Sequence, residues 1–435
     1  MRKLLLLSLL AAILPLPSIA AEAPNYAEDT LTGDWGGTRS AMAKKGVTLD
    51  LGYKVDFLRN TGGGIERGGR PMSHVDLKLA ADFEKLTGWS GGSGYVNFIQ
   101  DHGGKVNARQ VGSLTGVSNI EVAAHTNRLL HAWLQQEFAD GRGALLMGLY
   151  PIDSEFATID SAGVFVQPPY GATADIALTR GPSIFNTSSF GFRGKWFSAD
   201  RSAYVMGAVL DGIPGEPSNP RGTHIRFNKG DGIMSIVEIG LKPGAARPAE
   251  PAKTDAKKDE AKDDAPELIE KYAAGLWRYS SRVADQLDTN PDGSPVNRQS
   301  WGWFALAEKT LYQAKDGRDL AGFVRISGTD GDSTSIKQVV NLGIRIKALL
   351  PGRSDDVFGL AYTRASLSSK WRSAQLALAA PTDTTAFEDA WEATYRIQAG
   401  KWLAVQPVIQ RINHPGGLTS RGAANILGAR VELAF

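Results

Sequence analysis

Residues Phe387 to Phe435 read FEDAWEATYRIQAGKWLAVQPVIQRINHPGGLTSRGAANILGARVELAF. Near the start, Trp391, Ala393, Tyr395 and Ile397 alternate with Glu392, Thr394 and Arg396. Near the end, Leu427, Ala429, Val431, Leu433 and Phe435 alternate with Gly428, Arg430, Glu432 and Ala434. Successive residues of a strand point to opposite faces, so each run carries one apolar face and one charged face. In a water-soluble sheet a second layer covers the apolar face. In an outer-membrane barrel lipid covers it, and the charged face lines a wet lumen.

The other end of the chain chooses between these. Arg2 and Lys3 precede an apolar run from Leu4 to Leu14, and Pro17-Ser18-Ile19-Ala20 offers small residues for cleavage. This is the pattern of a secretory signal, so residues 1–20 are set apart from the fold, leaving an N-terminal segment over 21–46 and a barrel over 47–435. Beyond the signal no run approaches the roughly 20 apolar residues that a spanning helix needs. The chain has no cysteine, which excludes disulfides, thiol catalysis and Cys-based metal sites. Its 48 Lys+Arg against 46 Asp+Glu leave a formal charge of +2, which argues against nucleic acid as a partner. The 49 glycines, and aromatic residues recurring near the ends of alternating segments, suit many strands joined by tight turns.

Alternation and turn signals place strands near 47–59, 74–86, 94–101, 127–138, 143–151, 189–198, 202–211, 232–242, 271–281, 301–312, 320–328, 338–349, 356–367, 387–398, 401–412 and 425–435. Short connections, such as Ala139-Asp140-Gly141-Arg142 and Ala199-Asp200-Arg201, alternate with long ones at 60–73, 102–126, 152–188, 212–231, 282–300, 368–386 and 413–424. The fold expected is all-β: a 16-stranded antiparallel transmembrane barrel with short periplasmic turns, long outer loops and both termini in the periplasm. Residues 243–268, PGAARPAEPAKTDAKKDEAKDDAPEL, break the rule as a charged low-complexity insertion in a periplasmic turn. It reads either as a tolerated insertion or as a tether to peptidoglycan or a periplasmic partner.

These residues resemble a known family, the OprB-type carbohydrate-selective porins. Leu31-Thr32-Gly33-Asp34-Trp35-Gly36-Gly37-Thr38-Arg39 with Gly46-Val47 is similar to the family's N-terminal signature. Glu392, Tyr395, Trp402, Val405-Gln406-Pro407, Gln410, Pro415-Gly416-Gly417, Gly428-Ala429-Arg430 and Phe435 are similar to its C-terminal one. Between them Trp133-Leu134-Gln135-Gln136, Gly148-Leu149-Tyr150 and Glu155-Phe156 fall in a similar order, so the resemblance covers nearly the whole mature chain. It implies facilitated diffusion of glucose and related sugars, with no cofactor and no energy coupling. Terminal Phe435 resembles the signal read by the barrel assembly machinery. Outer-membrane lipid and lipopolysaccharide are the expected surroundings, and the oligomeric state stays open, a homotrimer among the alternatives.

A sugar is neutral, so a pore that recognises it needs charged and amide groups to bond several hydroxyls at once, with aromatic faces for the ring. Arginine's planar fork and a nearby carboxylate suit that task. Strand phase turns inward Asp76 and Lys78, Arg193 and Lys195, Asn341, Arg345 and Lys347, then Glu392, Arg396, Gln406, Gln410, Arg430 and Glu432. His131, Gln135 and Glu137 share one face. The long third connection, Ile152 to Thr187, carries Asp153, Glu155, Phe165, Gln167, Tyr170 and Asp175. It either folds inward to narrow the lumen or caps the barrel from outside. The pore-lining candidates are Arg193, Lys195, Arg345, Glu392, Arg396, Arg430, Glu432, Tyr170 and Phe165.

Enzymatic readings do poorly, because the six histidines show no metal-ligand spacing and no nucleophile elbow or phosphate loop appears. The alternatives kept are a general diffusion porin without sugar preference, a secreted carbohydrate-binding β-sandwich, and an outer-membrane barrel hydrolase.

Overall fold

The computed structural model describes residues 25–243, 268–378 and 383–435. The signal segment 1–20 and nearly all of the 243–268 insertion lie outside them. The sixteen strands are β1 Val47–Gly62, β2 Gly68–Asp82, β3 Gly92–Gly103, β4 Thr126–Phe138, β5 Gly143–Tyr150, β6 Ser189–Phe197, β7 Ala203–Asp211, β8 Ile233–Leu241, β9 Glu270–Thr289, β10 Pro295–Gln313, β11 Asp319–Thr329, β12 Ile336–Lys347, β13 Val357–Leu367, β14 Phe387–Gly400, β15 Leu403–Asn413 and β16 Ala424–Ala434. Each pairs antiparallel with its sequence neighbours, and β1 pairs with β16, so the sheet closes with no free edge. Closure satisfies the backbone groups of every strand, which a sheet surrounded by lipid requires.

The outward face carries the apolar side of each alternation. Leu77, Leu145, Phe192, Ile239, Leu276, Ile409 and Leu427 all stand exposed on it. Trp89, Phe138, Trp196 and Tyr272 stand exposed toward the short-turn end, and Phe57, Trp301 and Trp391 toward the long-loop end. An apolar band between two aromatic rings is the surface that a bilayer covers.

Sixteen strands in the expected order and phase are present, but four of them, β1, β2, β9 and β10, differ by three residues or more at an end. The connection read as 60–73 is only a tight turn over 63–67, and that read as 282–300 shrinks to 290–294, because β1, β2, β9 and β10 run on. These extensions are mostly polar, with apolar residues such as Met72, Val283, Leu287 and Val296 too sparse for a regular alternation to mark them. Strand β2 stops at Asp82, whose side chain accepts the Lys85 N–H at 3.1 Å and caps a short helix, Phe83–Thr87.

The N-terminal segment packs on the β1–β16 seam as two short helices, α1 Tyr26–Asp29 and α2 Thr38–Lys44. Leu31 N–H donates to the Ala434 carbonyl. Arg39, only 3% exposed, lies 4.0 Å from the Tyr26 ring centre and donates to the carbonyls of Phe435 at 2.9 Å and Leu49 at 2.7 Å. Gly46, at φ +96°, turns the chain from this segment into β1. A Cβ there would meet the Asp82 carbonyl at 2.8 Å.

The inner wall is not charged all round. From β5 to β11 it carries Leu146, Met206, Leu210, Met234, Ile236, Trp277, Phe304, Leu306 and Phe323, all buried. What buries them is the third connection, whose Ile152, Phe156, Ile159, Phe165, Tyr170 and Ile176 complete the cluster. The barrel is therefore filled on one side by its own loop, and the main core lies inside it.

Candidate functional site

The third connection, residues 151–188, lies within the barrel. Buried polar side chains on the wall meet its backbone. Glu308 accepts the N–H groups of Asp160 at 3.0 Å and Ser161 at 2.8 Å; Glu392 accepts those of Val166 at 2.7 Å and Gln167 at 2.9 Å; Glu238 accepts that of Ala157 at 2.7 Å. Carbonyls are met by donors: Arg325 gives to Ala157 at 2.7 Å, Gly171 at 2.9 Å and also Pro169, while Lys271 gives to Thr158 and Gln406 to Val164. An irregular segment has no ladder of its own, and a buried peptide group left unpaired is costly, so the wall supplies the partners.

The second connection also folds inward. Ser113, Leu114 and Thr115 converge on Glu388, Asn119 N–H donates to the Val166 carbonyl, and Gln410 gives to the Val117 carbonyl at 2.9 Å. Arg430 forms a two-bond pair with Asp56 at 2.7 and 2.8 Å and reaches Asn119 at 2.6 Å. The two connections thus join each other across the lumen.

Between them and strands β1–β4 and β14–β16 remains a cavity of 320 Å³. Its wall presents Lys54, Lys78, Arg396 and Arg430 beside Asp50, Asp76 and Glu432, with His74, Tyr95, Asn97 and His131. The charges are paired at close range. Arg396 meets Glu432 at 3.0 Å, Lys78 meets Asp76 at 3.9 Å, and His74 bridges Asp76 at 3.0 Å and Asp101 at 2.7 Å. Such a surface combines donors and acceptors with little net field, which is what a neutral polyhydroxyl solute matches.

Of the nine pore-lining candidates, Arg396, Arg430 and Glu432 border this cavity. Arg193 and Lys195 point inward as expected, but both meet Glu155 at the start of the third connection, at 2.7 and 3.4 Å. Glu392 is 0% exposed, sealed by the loop it holds. Phe165 and Tyr170 face the wall, 5.9 and 6.2 Å from the Phe323 ring, and serve as core. Arg345 pairs with Asp319 near the short-turn end, away from the cavity. Strand phase turns Arg193, Lys195, Arg345 and Glu392 inward, and phase alone does not say whether a loop covers the position; Phe165 and Tyr170 are on the loop itself, which folds inward but turns their rings to the wall.

The residues missed from that set are Asp50, Lys54, His74, Tyr95 and Asn97. Alternation of Asp50, Lys54 and Asp56 with Leu49, Leu51, Tyr53, Val55 and Phe57 is as regular as that in the final strands, and held the signal for β1.

A sequence profile described as "Carbohydrate-selective porin, OprB family" matches residues 66–435. Among curated proteins, Porin B of Pseudomonas aeruginosa is 23% identical over 450 residues, covering 96% of this chain and 93% of that one. A putative porin, QuiX, of Acinetobacter baylyi is 20% identical and covers 93% of each. Among solved structures, the high-pH structure of OprB from Pseudomonas putida matches with a TM-score of 0.80 at 19% identity, over 95% of this chain and 100% of that one. Its low-pH counterpart matches at 0.59 and 16%, over 94% and 99%. The closed sixteen-stranded barrel, the band a bilayer covers and the profile match agree: this chain belongs to the OprB family of carbohydrate-selective porins of the bacterial outer membrane.

Proposed function

We propose that this porin carries glucose-sized sugars across the outer membrane by diffusion through the cavity beside β1–β4 and β14–β16. The observation that supports it is the pairing of charges there. Four cations and five carboxylates, counting Glu121 and Asp153, border a space of 320 Å³ and neutralise one another nearly evenly. A hydroxyl can accept from Arg396, Arg430, Lys54 or Lys78 while donating to Glu432, Asp76 or Asp50, and Tyr95 offers a ring to the sugar's apolar face. Contacts of this kind are individually weak, so the solute both enters and leaves.

With this reading go several finer points that rest on sequence. Residues 1–20 are a cleaved leader, the termini and short turns face the periplasm, and 243–268 is an insertion on that side. Phe435 is the residue read by the barrel assembly machinery, lipopolysaccharide is the outer neighbour, and a homotrimer is the assembly that membrane extracts test for. No catalytic step is assigned to the chain.

Single-channel conductance of the full chain in a planar bilayer tests the proposal. Glucose is expected to block the ion current in a concentration-dependent way, and Arg396→Gln or Glu432→Gln to weaken that block several-fold. Open channels indifferent to sugar would leave a general diffusion porin.

A further inference from the structure

The outward face carries a trough of 1040 Å³ that crosses seven strands from β4 to β10. Two rows of directly paired residues define it. The row nearer the long-loop end is Leu134, Met147, Phe192, Val209, Ser235, Arg278 and Trp301. The row below it runs Gln136, Leu145, Gly194, Gly207, Val237 and Leu276, so two adjacent glycines leave its middle without side chains. Six strand steps of about 4.8 Å give the trough a length of about 29 Å, and strand tilt sets it obliquely to the bilayer normal. It begins two residues from the end of β4 at the short-turn rim and climbs toward the long-loop end.

Apart from Ser235, the outward side chains of the lining are apolar except at its ends. Gln136 and Trp89 bond to each other at the lower one, at 2.6 Å. At the upper one Arg278, exposed, contacts Gln299 beside Trp301. A guanidinium at that height, next to an amide and an indole and above a floor of glycine, offers a phosphate two parallel donors and an acyl chain a bed. We propose that this trough seats a phosphate-bearing, multi-acyl glycolipid of the outer leaflet, its phosphate on Arg278 and an acyl chain laid over Gly194 and Gly207. Only one end carries a cation, so the lipid sits head upward, toward the long loops. This site lies outside the barrel and stands independently of which solute passes within.

The glycines make the test clean. A Cβ at Gly194 would meet nothing nearer than Leu145 at 3.7 Å, and at Gly207 nothing nearer than the Ile236 carbonyl at 3.5 Å, both ordinary contacts. The double variant Gly194→Leu/Gly207→Leu therefore fills the trough with apolar groups while the barrel folds, as its heat-modifiable gel mobility checks. Full-length protein in detergent is equilibrated with equal amounts of lipid A and phosphatidylethanolamine and read by native mass spectrometry. The expected result is one lipid A retained per barrel at about tenfold preference, near parity for Arg278→Gln, and little retention of either lipid by the filled variant. Equal retention of the two lipids by the native chain, or undiminished lipid A on the filled variant, overturns the proposal. So does a native oligomer that the filled variant splits into single barrels, which would give the trough to a second copy.

Discussion

At the scale of single residues, the buried wall groups hold the loop more than they meet a solute. Glu392 accepts two N–H groups with its two oxygens, and glutamine in its place would aim a donor at one of them. Glu392→Gln is expected to weaken loop docking by about 2 kcal/mol. The resulting channel should show larger and noisier conductance, measured against Arg345→Gln, which loses a buried inward charge whose hydrogen bond goes to Asp319 of β11 and not to loop backbone. Arg193→Met leaves the buried Glu155 with the Lys195 ammonium and the Tyr150 hydroxyl but without its closest cation, costing about 3 kcal/mol in thermal stability in detergent. The same ion pair sets an acid limit. Burial pushes the Glu155 carboxyl up, but Lys195 and Arg193 outweigh burial and hold it at about 2, below the ordinary 4.5. A depressed carboxyl contributes fully above pH 4.5 and loses its contribution as pH falls through about 2. Asp153 beside it is pushed up by burial to about 6, so its contribution has the opposite sign, lost as pH rises through 6 and restored in mild acid. As pH falls from 7 to 4.5, Glu155 keeps its contribution and Asp153 regains its own, so the loop is held no less firmly. Conductance is expected to stay flat or fall over that range, and a steep rise above pH 4.5 would contradict the assignment.

At the scale of elements, the seam where β1 meets β16 is held by a segment that is neither strand nor loop. Arg39 donates to the carbonyl of the last residue and to Leu49 on β1, and stacks against Tyr26, so it ties α1 and α2 to both partners at once. Arg39→Met keeps most of the packing and removes those donors. The expected cost is about 2–4 kcal/mol, read as a lower unfolding temperature in detergent with channel conductance unchanged. Strand order and phase were legible in the sequence because lipid imposes a period of two on every strand it touches. Strand length was not legible where β9 and β10 rise past the apolar band, since Arg282, Asp285, Asn297 and Gln299 carry no such period. The seam contact was visible only as a signature around Arg39, with no hint of its partner 396 residues away.

At the scale of the whole molecule, the barrel has two halves with different tasks, and each leaves its own pattern in the sequence. In β1, β2 and β14–β16 charge alternates with apolar residues, which is the mark of a wet lumen. In Ile233-Met234-Ser235-Ile236-Val237 and in Phe304-Ala305-Leu306 both faces are apolar, which in a barrel means that one is covered by lipid and the other by protein. That pattern was readable and is what distinguishes a loop folded inward from one capping the mouth. Its consequence is testable. Replacing residues 157–172 by a short Gly-Ser linker removes Phe165, Tyr170 and the backbone that Glu308, Glu392 and Arg325 hold, while leaving all sixteen strands intact. The lumen then opens on the β8–β11 side, so conductance should rise several-fold and block by glucose should weaken, because the solute has a second route that avoids Arg396, Arg430 and Glu432. Met234, Ile236, Trp277 and Phe304 become wet at the same time, and the deleted chain should bind a hydrophobic dye within its lumen as the native chain does not. If conductance rose with sugar block undiminished, the cavity beside β1 would still hold every solute that passes, and the loop would act as filling for an apolar wall without narrowing the route.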